Sequence, residues 1–425
     1  MKINTSNLNL SEAKTFYNAF IEKGLPNKKS EDWKFTDLEK ILNSSFKELK
    51  PLIEKDNFKI DAFLDFDHYF LVNVNGELVH HKLWFKKGSK EEAEAKLTKI
   101  SNTNQHPILL KDSRFPGKKI VNEEAKKNEM LSMNLAFLDR GYSFQITEDL
   151  TKPLVIYNFF NNDLENKIIS NSNFIRISNS KIKIIELNID KSKSKYFKNT
   201  FQRYEINDSE VDYFYINQNN SKGFNYTKNE IEINDSSSKK GSIFNYFIFG
   251  SGSKFRKDDY EISLNGENSF AKINSAAIIK NDEHHEVKTS MFHHEPNCKS
   301  HQKVKNILLG GSKGIFQGKV KVSDRAQKTD AYQISKGLIL DDKSEFSTKP
   351  ELEIYADDVK CSHGSTSGNI DEDSVYYLMT RGLSKKEATK LIIKGFLNDV
   401  VSEIEDPQVK KLIEEHLDKN INYEN

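Results

Sequence analysis

Two cysteines and eleven histidines supply most of the soft metal-binding and nucleophilic capacity of this chain. One cysteine lies in "ADDVKCSHGSTSG", where Asp357, Asp358, Cys361 and His363 fall within seven residues. In a strand, side chains two apart leave the same face, so Cys361 and His363 would project together. A thiol and an imidazole placed that way can share a soft metal, or the imidazole can depress the thiol pKa. Two donors do not close a metal site, so any further ligand would come from elsewhere in the chain or from another chain. The simpler reading is a buried thiol beside a hydrogen-bonded histidine at a turn.

A second concentration is "EHHEVKTSMFHHEPNCKSH", with His284, His285, His293, His294, Cys298 and His301. Zinc could be drawn between Cys298, His301 and either His293 or His294. The spacing matches no standard finger, however, and there is no paired C-x-x-C. Histidines on surface turns are the simpler reading. "LLGGSKGIFQGK" lacks the residue order of a phosphate loop, and its glycines fit tight β turns. Within that run "GGSKG", Gly310 to Gly314, has the G-x-S-x-G order but is read as part of the turn and not as a nucleophile elbow; H-E-x-x-H does not occur, and no carboxylate pair stands out as a glycosidase couple.

The elements that must position these residues fall into three segments. Residues 1–141 read as helical and α/β: a helix over Ser11 to Lys23 stopped by Gly24 and Pro26, another around "SEDWKFTDLEKIL", mixed strand and loop from Phe58 to about Phe115, and a helix from Asn122 with Gly141 as its exit. Residues 142–368 show short β-type runs broken by Asn, Asp, Ser and Gly, with "KIKIIELNI", "VDYFYI" and "IFNYFIF" among them. "YEINDS" at Tyr204, "IEINDS" at Ile231 and "YEISLN" at Tyr260 recur at intervals near the length of one solenoid coil. A large antiparallel sandwich is the alternative on pattern alone. Residues 369–425 are helical again. Asp371 or Asp373 offers an N-cap, Gly382 an exit, and Ser384 with Glu387 a capping box. Ala388, Leu391, Ile392, Phe396, Val400 and Ile404 form an apolar stripe that Pro407 closes.

Composition narrows the function classes. The 425 residues carry 64 Lys and Arg against 63 Asp and Glu, so no general basic field points to nucleic acid or an anionic membrane. No window approaches the roughly 18 apolar residues of a membrane span, and the N-terminus has no signal-like apolar stretch. Two cysteines allow one disulfide but no disulfide framework, which fits a reducing cytoplasm. The abundance of Asn, Lys and Ile is read as coding bias.

From Phe316 onward, "FQGKVKVSDRAQKTDAYQISKGLILDD" and "KPELEIYADDVKCSHGSTSGNIDEDSVYYLMTRGLSKKEATKLIIKGF" resemble the C-terminal half of the SufD family, scaffold subunits of SUF iron–sulfur cluster assembly. "HHEPNCKS", "GLPNKKSEDWKFTDL" and "MNLAF" are similar to further family elements. The resemblance implies a right-handed parallel β-helix core, mainly β with an N-terminal α/β segment and a C-terminal helical domain. It implies a scaffold with no catalysis of its own. The partners would be a SufB paralogue, joined through the β-helix ends, and a SufC-type ABC ATPase, docked on the C-terminal helices through Tyr376, Tyr377, Arg381, Phe396 and Leu397. The resemblance also leaves open a homodimer of the chain in isolation. A transient iron–sulfur cluster would form at the SufB interface, held by His363 with Cys361 as a further candidate, and Cys298 and His294 as secondary ones. Some members suggest a reduced flavin in the assembled complex. The compartment implied is the cytoplasm, or a plastid-type organelle if a targeting segment has been removed.

Two alternatives remain. A SufB-like chain would carry a cysteine where Ser344 stands and would read E-H-E-A-T in place of C-S-H-G-S-T. A polysaccharide-acting β-helix enzyme would show a secretory signal and acidic clusters on one solenoid face. "GSTSG" also departs mildly from the common G-A-T-x-G of SufD chains.

Overall fold

The computed structural model describes residues 2–3, 14–52, 63–85, 108–111, 128–138, 140–161, 164–218, 222–234 and 240–421. Its centre is a parallel β-solenoid in which successive strands alternate between two sheets. One sheet runs through the strands Lys167–Ser178, Phe197–Asn207, Phe224–Asn234, Phe255–Leu264, His284–His293, Lys313–Val322 and Glu345–Ile354. The other runs through Lys181–Asp190, Glu210–Gln218, Ile243–Ser251, Phe270–Ile279, Lys299–Leu308, Asp330–Ile339 and Lys360–Asn369. Seven coils result, and the core is the parallel β-solenoid that the resemblance implied.

The alternation seen in the sequence becomes interior columns. Ile175, Tyr204, Ile231, Ile262 and Met291 stack coil on coil in the first sheet. Ile184, Tyr213, Tyr246 and Ile273 do so in the second. All nine lie in one buried core. The rings of Tyr213 and Tyr246 stack at 4.7 Å, and the Tyr213 hydroxyl donates to the buried carboxylate of Glu186 at 2.5 Å. Ile231 sits on Tyr204 in register, as the repeat predicts. The next coil differs: Ile262, not Tyr260, lies on Ile231. A slip of two residues keeps every side chain on its original face, so the motif still marks a coil.

The Asn content has a structural role beyond coding bias. Asn179, Asp208, Asn268, Asn281 and Asn297 occupy turns with φ between 44° and 61°. Asn and Asp tolerate this left-handed region better than other residues with a Cβ.

The N-terminal third joins the solenoid directly. His68–Val74 pairs in parallel with Leu154–Phe160, and Arg140–Ile146 with Lys167–Ser178. Helices α1 (Lys14–Lys23), α2 (Leu38–Ser45) and α3 (Glu129–Ala136) cover the outside of the first sheet. Within the helix expected from Asn122, residues 122–127 lie outside the described residues. Asn128 caps the described part, which ends at Ala136. Gly141 is therefore not a helix exit but part of the following strand. A Cβ there would come within 1.9 Å of the Ser172 carbonyl oxygen, so close strand approach is what demands glycine.

Three C-terminal helices complete the chain: α4 (Glu372–Thr380), α5 (Lys385–Val401) and α6 (Pro407–Asn420). Asp371 caps α4, Gly382 follows it at φ 97°, and Ser384 with Glu387 forms the expected capping box. Asp406 caps α6, and Pro407 opens that helix, α5 having already ended at Val401. The buried face of α5 and the turn after it is Ala388, Ile393, Leu397, Val400, Val401 and Ile404, while Leu391 is exposed. The stripe is thus rotated by about one residue from the expected one. Adjacent apolar pairs at 392–393 and 396–397 left its phase open, and packing on the solenoid sets it. Among the described residues, no helix is long and apolar enough to cross a membrane.

Candidate functional site at the open end of the solenoid

Strand Lys360–Asn369 is the last of its sheet, and its register decides what Cys361 and His363 face. In the strand beneath it, Ala331, Gln333, Ser335 and Gly337 are buried, while Tyr332, Ile334 and Lys336 are exposed. Cys361 lies on Ala331 and His363 on Gln333. The pair therefore continues two interior columns, Ala271–Ser300–Ala331–Cys361 and Ile273–Gln302–Gln333–His363. Among the described residues, no coil covers them. His363 is consequently exposed, although its position is an interior one.

Cys361 is half-buried against the core, and burial raises its thiol pKa. Asp357 and Asp358 stay in the preceding turn, where the Asp358 backbone N–H donates to Gln327 at 3.0 Å. Sequence proximity thus brings together only the thiol and the imidazole. Among the described residues, no group of three or more His, Cys, Asp or Glu could hold a metal ion.

Toward this end the interior turns polar. Gln302 and Gln333 continue the column of Ile184, Tyr213, Tyr246 and Ile273, Ser335 and Ser365 continue that of Tyr215 and Ile248, and Thr348 follows Phe316. The Ser335 and Thr348 hydroxyls lie 3.0 Å apart, and Ser335 donates to Ser365 at 3.0 Å. Composition alone did not signal this gradient. It is visible once residues are aligned coil by coil.

The second cluster disperses. Cys298 is fully buried, its Sγ–H donates to the Gly266 carbonyl at 3.1 Å, and burial pushes its thiol pKa up to about 11. Such a thiol is poorly placed to ligate anything in this structure. His293 is also fully buried, with its pKa down to about 4 by desolvation. His294 is half-buried, 3.4 Å from the Ser323 hydroxyl, and its ring stacks on Phe292. His301 faces outward between Phe270 and Tyr332. The histidines expected on surface turns are mostly set in the solenoid walls. Alternate residues of one strand point to opposite faces, so His284 and His285 diverge.

Ser344, at the position that separates the SufD and SufB patterns, is 7% exposed. Its hydroxyl donates to Asp341 at 2.8 Å and accepts from the Ser312 N–H at 3.1 Å.

The five helical residues expected at a docking surface divide. Tyr376 and Tyr377 are 68% and 57% exposed, and the Arg381 guanidinium lies 5.2 Å from the Tyr377 ring centre. Met379 and Leu391 add exposed apolar area beside them. Phe396 and Leu397 instead turn toward the solenoid. Lys305 sits over the Phe396 ring at 4.7 Å, and Leu397 is 1% exposed in the core beneath α5. That assignment is corrected for Leu397: it anchors the helix.

A family profile described as "SUF system FeS cluster assembly, SufBD core domain" matches residues 159–396, more than half of the chain. The chain belongs to the SufBD family of SUF-system iron–sulfur cluster assembly proteins. It is 25% identical to iron–sulfur cluster assembly protein SufD of Escherichia coli strain K12 over 404 residues, covering 95% of this chain and 90% of that one. The SufD of Bacillus subtilis strain 168 is 28% identical over 159 residues, 37% of this chain and 36% of its own length. The chloroplastic protein ABCI7 of Arabidopsis thaliana is 26% identical over 167 residues, 39% of this chain and 35% of that one. Within the SufBD family, the near full-length match to SufD agrees with Ser344 in place of a cysteine. The matched segment takes in the solenoid from its first coils through Cys361 and His363, and ends inside α5.

Proposed function

We propose that this SufBD-family chain is the SufD-type half of a two-chain scaffold, and that a nascent iron–sulfur cluster is held where its open end meets a SufB-type partner. The observation that carries the proposal is the position of His363 and Cys361. They take interior-facing places on the last coil, and among the described residues no coil lies above them. A neutral imidazole and a thiolate are suitable donors for iron and for sulfide-bridged iron. Two donors hold such a cargo weakly, which suits a cluster that must later leave. His363 is the primary ligand in this reading. Cys361 is secondary, because its raised pKa disfavours the thiolate until iron or a partner's positive charge compensates.

The partner on the C-terminal helices would be a SufC-type ABC ATPase, received by Tyr376, Tyr377 and Arg381. Aromatic and Arg side chains of this exposure are common anchors of protein interfaces. Helix α5 is keyed to the solenoid by Ile393, Leu397 and Val400, and by Lys305–Asp399 at 2.6 Å and Lys303–Glu403 at 2.5 Å. A force on the helices would therefore reach the strands Phe270–Ile279 and Lys299–Leu308 beneath them. Hydrolysis in the ATPase would supply that force, and this chain would have no catalytic step.

The test is anaerobic reconstitution of the chain co-expressed with SufB- and SufC-type partners, with bound iron and sulfide quantified. His363→Ala is expected to keep the complex and to lose most of the cluster. An exposed side chain contributes little to folding, so stability should change by no more than about 0.5 kcal/mol. A wild-type cluster yield in that variant would refute the assignment.

A further inference from the structure

The segment Ser30–Asp37, part of the "GLPNKKSEDWKFTDL" motif, lies across the outer face of the first sheet. It touches five successive coils. Trp33 is 5% exposed, packs on Tyr226 with ring centres 5.5 Å apart, and lies 4.4 Å beneath the Lys257 ammonium. Lys257 donates to the Asp32 carbonyl at 2.8 Å and pairs with Glu286, and neither charged side chain has any solvent exposure. The second oxygen of Glu286 accepts from the Thr36 hydroxyl. That hydroxyl has one proton, so the contact with His284 Nε2 at 2.7 Å must be donated by the imidazole. Gln317 donates to Glu286 at 2.6 Å, Lys288 pairs with Asp32 at 3.1 Å, and Lys349 pairs with Glu31. The residues reached sit on strands Phe224–Asn234, Phe255–Leu264, His284–His293, Lys313–Val322 and Glu345–Ile354.

We infer that Ser30–Asp37 is a brace, latched by the buried Lys257–Glu286–Thr36 network, that makes the C-terminal coils and the open end one cooperative unit with the N-terminal segment. In a solenoid each coil contacts only its neighbours, so an end coil can fray without disturbing those further in. A strap over five coils removes that independence. It links Glu31 to Lys349, 318 residues away, on the last strand of the sheet. Opening the latch is therefore expected to loosen the end where His363 lies, with no change to any residue of that end.

Thr36→Val tests this. The variant keeps the side chain's shape but strands Glu286 and the His284 donor without the hydroxyl. Removing Lys257 or Glu286 would be less informative, because an orphaned buried charge can unfold the chain outright. Hydrogen exchange of the full chain, read by mass spectrometry, should show amides of 313–322 and 345–354 exchanging on the order of tenfold faster, together with those of 31–37. Thr36→Ser, which retains the hydroxyl, should restore wild-type protection. If Thr36→Val does not fold, the pair Glu31→Ala and Asp32→Ala carries the same test, since it cuts only the exposed contacts to Lys349 and Lys288. Faster exchange confined to 31–37, with 345–354 at the wild-type rate, would overturn the inference and leave the segment a passive cover.

Discussion

His293→Gln isolates one of the buried imidazoles and gives a change with a fixed sign. In the folded chain, Nε2 of His293 faces the Ser300 hydroxyl at 2.8 Å and Nδ1 faces the Thr329 hydroxyl at 3.5 Å. Thr329 already donates its proton to the Ala326 carbonyl, so Nδ1–H is the donor to Thr329 and Ser300 donates to Nε2. That neutral tautomer is satisfied, and protonation would take away the acceptor of the Ser300 proton as well as burying a charge. The folded pKa is accordingly down to about 4, against about 6.5 in an unfolded chain. Between those values the unfolded state holds the extra proton. The contribution is therefore fully present above about pH 6.5 and is lost as pH falls toward about 4. Single-site linkage gives about 0.2 kcal/mol lost at pH 7 and about 2 kcal/mol at pH 5. Glutamine does not titrate, so the gap between wild type and His293→Gln should narrow by nearly 2 kcal/mol over that range. Urea unfolding of both proteins at pH 7, 6 and 5 measures it. Other buried groups add effects of either sign, the lowered His284 and His285 in the same direction and Glu283, raised to about 7, in the opposite one, but they cancel in the difference. A gap that stays constant with pH would refute the neutral, structural reading of His293 and reopen the metal one.

The two faces of the C-terminal helices should separate in the same way. Leu397→Ala is expected to cost about 2–5 kcal/mol in urea unfolding, as a core truncation. Tyr377→Ala should leave stability within about 0.5 kcal/mol and instead weaken capture of the ATPase. If Leu397→Ala were neutral and abolished capture, α5 would not be seated as described. The two free cysteines should also differ toward iodoacetamide. Cys361 is expected to be alkylated in the native protein, and Cys298, with its pKa near 11, only after unfolding. Rapid native labelling of Cys298 would show that its turn opens.

The solenoid was legible where local pattern and coil geometry coincide. Tyr204 and Ile231 recur because they occupy equivalent places on successive coils. The capping box at Ser384 is a local hydrogen-bonding device, and spacing reveals it directly. Same-face placement of Cys361 and His363 follows from strand geometry alone. What remained hidden depends on which coil lies above or below. Nothing local says that His363 continues the column of Gln302 and Gln333, or that His293 is enclosed while His301 is not. Gly141 was misplaced because a glycine needed for close strand approach looks, in sequence, like a helix exit. The docking role expected of Leu397 fails because a run of paired apolar residues leaves the phase of a helix undetermined. The contacts of Trp33 with Lys257 and of Thr36 with His284 span more than two hundred residues of sequence and carry no local signature.

The last two strands, Glu345–Ile354 and Lys360–Asn369, end their sheets with no neighbour among the described residues. Their free amides and carbonyls are a template that any extended chain could adopt, the usual seed of aggregation. The sequence there is guarded. Pro350 withholds a donor from one edge, Lys349, Glu351 and Lys360 surround the edges with charge, and "GSTSG" gives the other edge a poor intrinsic tendency to pair. A newly made chain would thus meet the cell with an end that resists indiscriminate stacking yet gains order from a matched edge. If the proposed partner pairs there, proteolysis and chaperone triage would act as a census of subunits left unpaired, keeping the supply of the two chains in step.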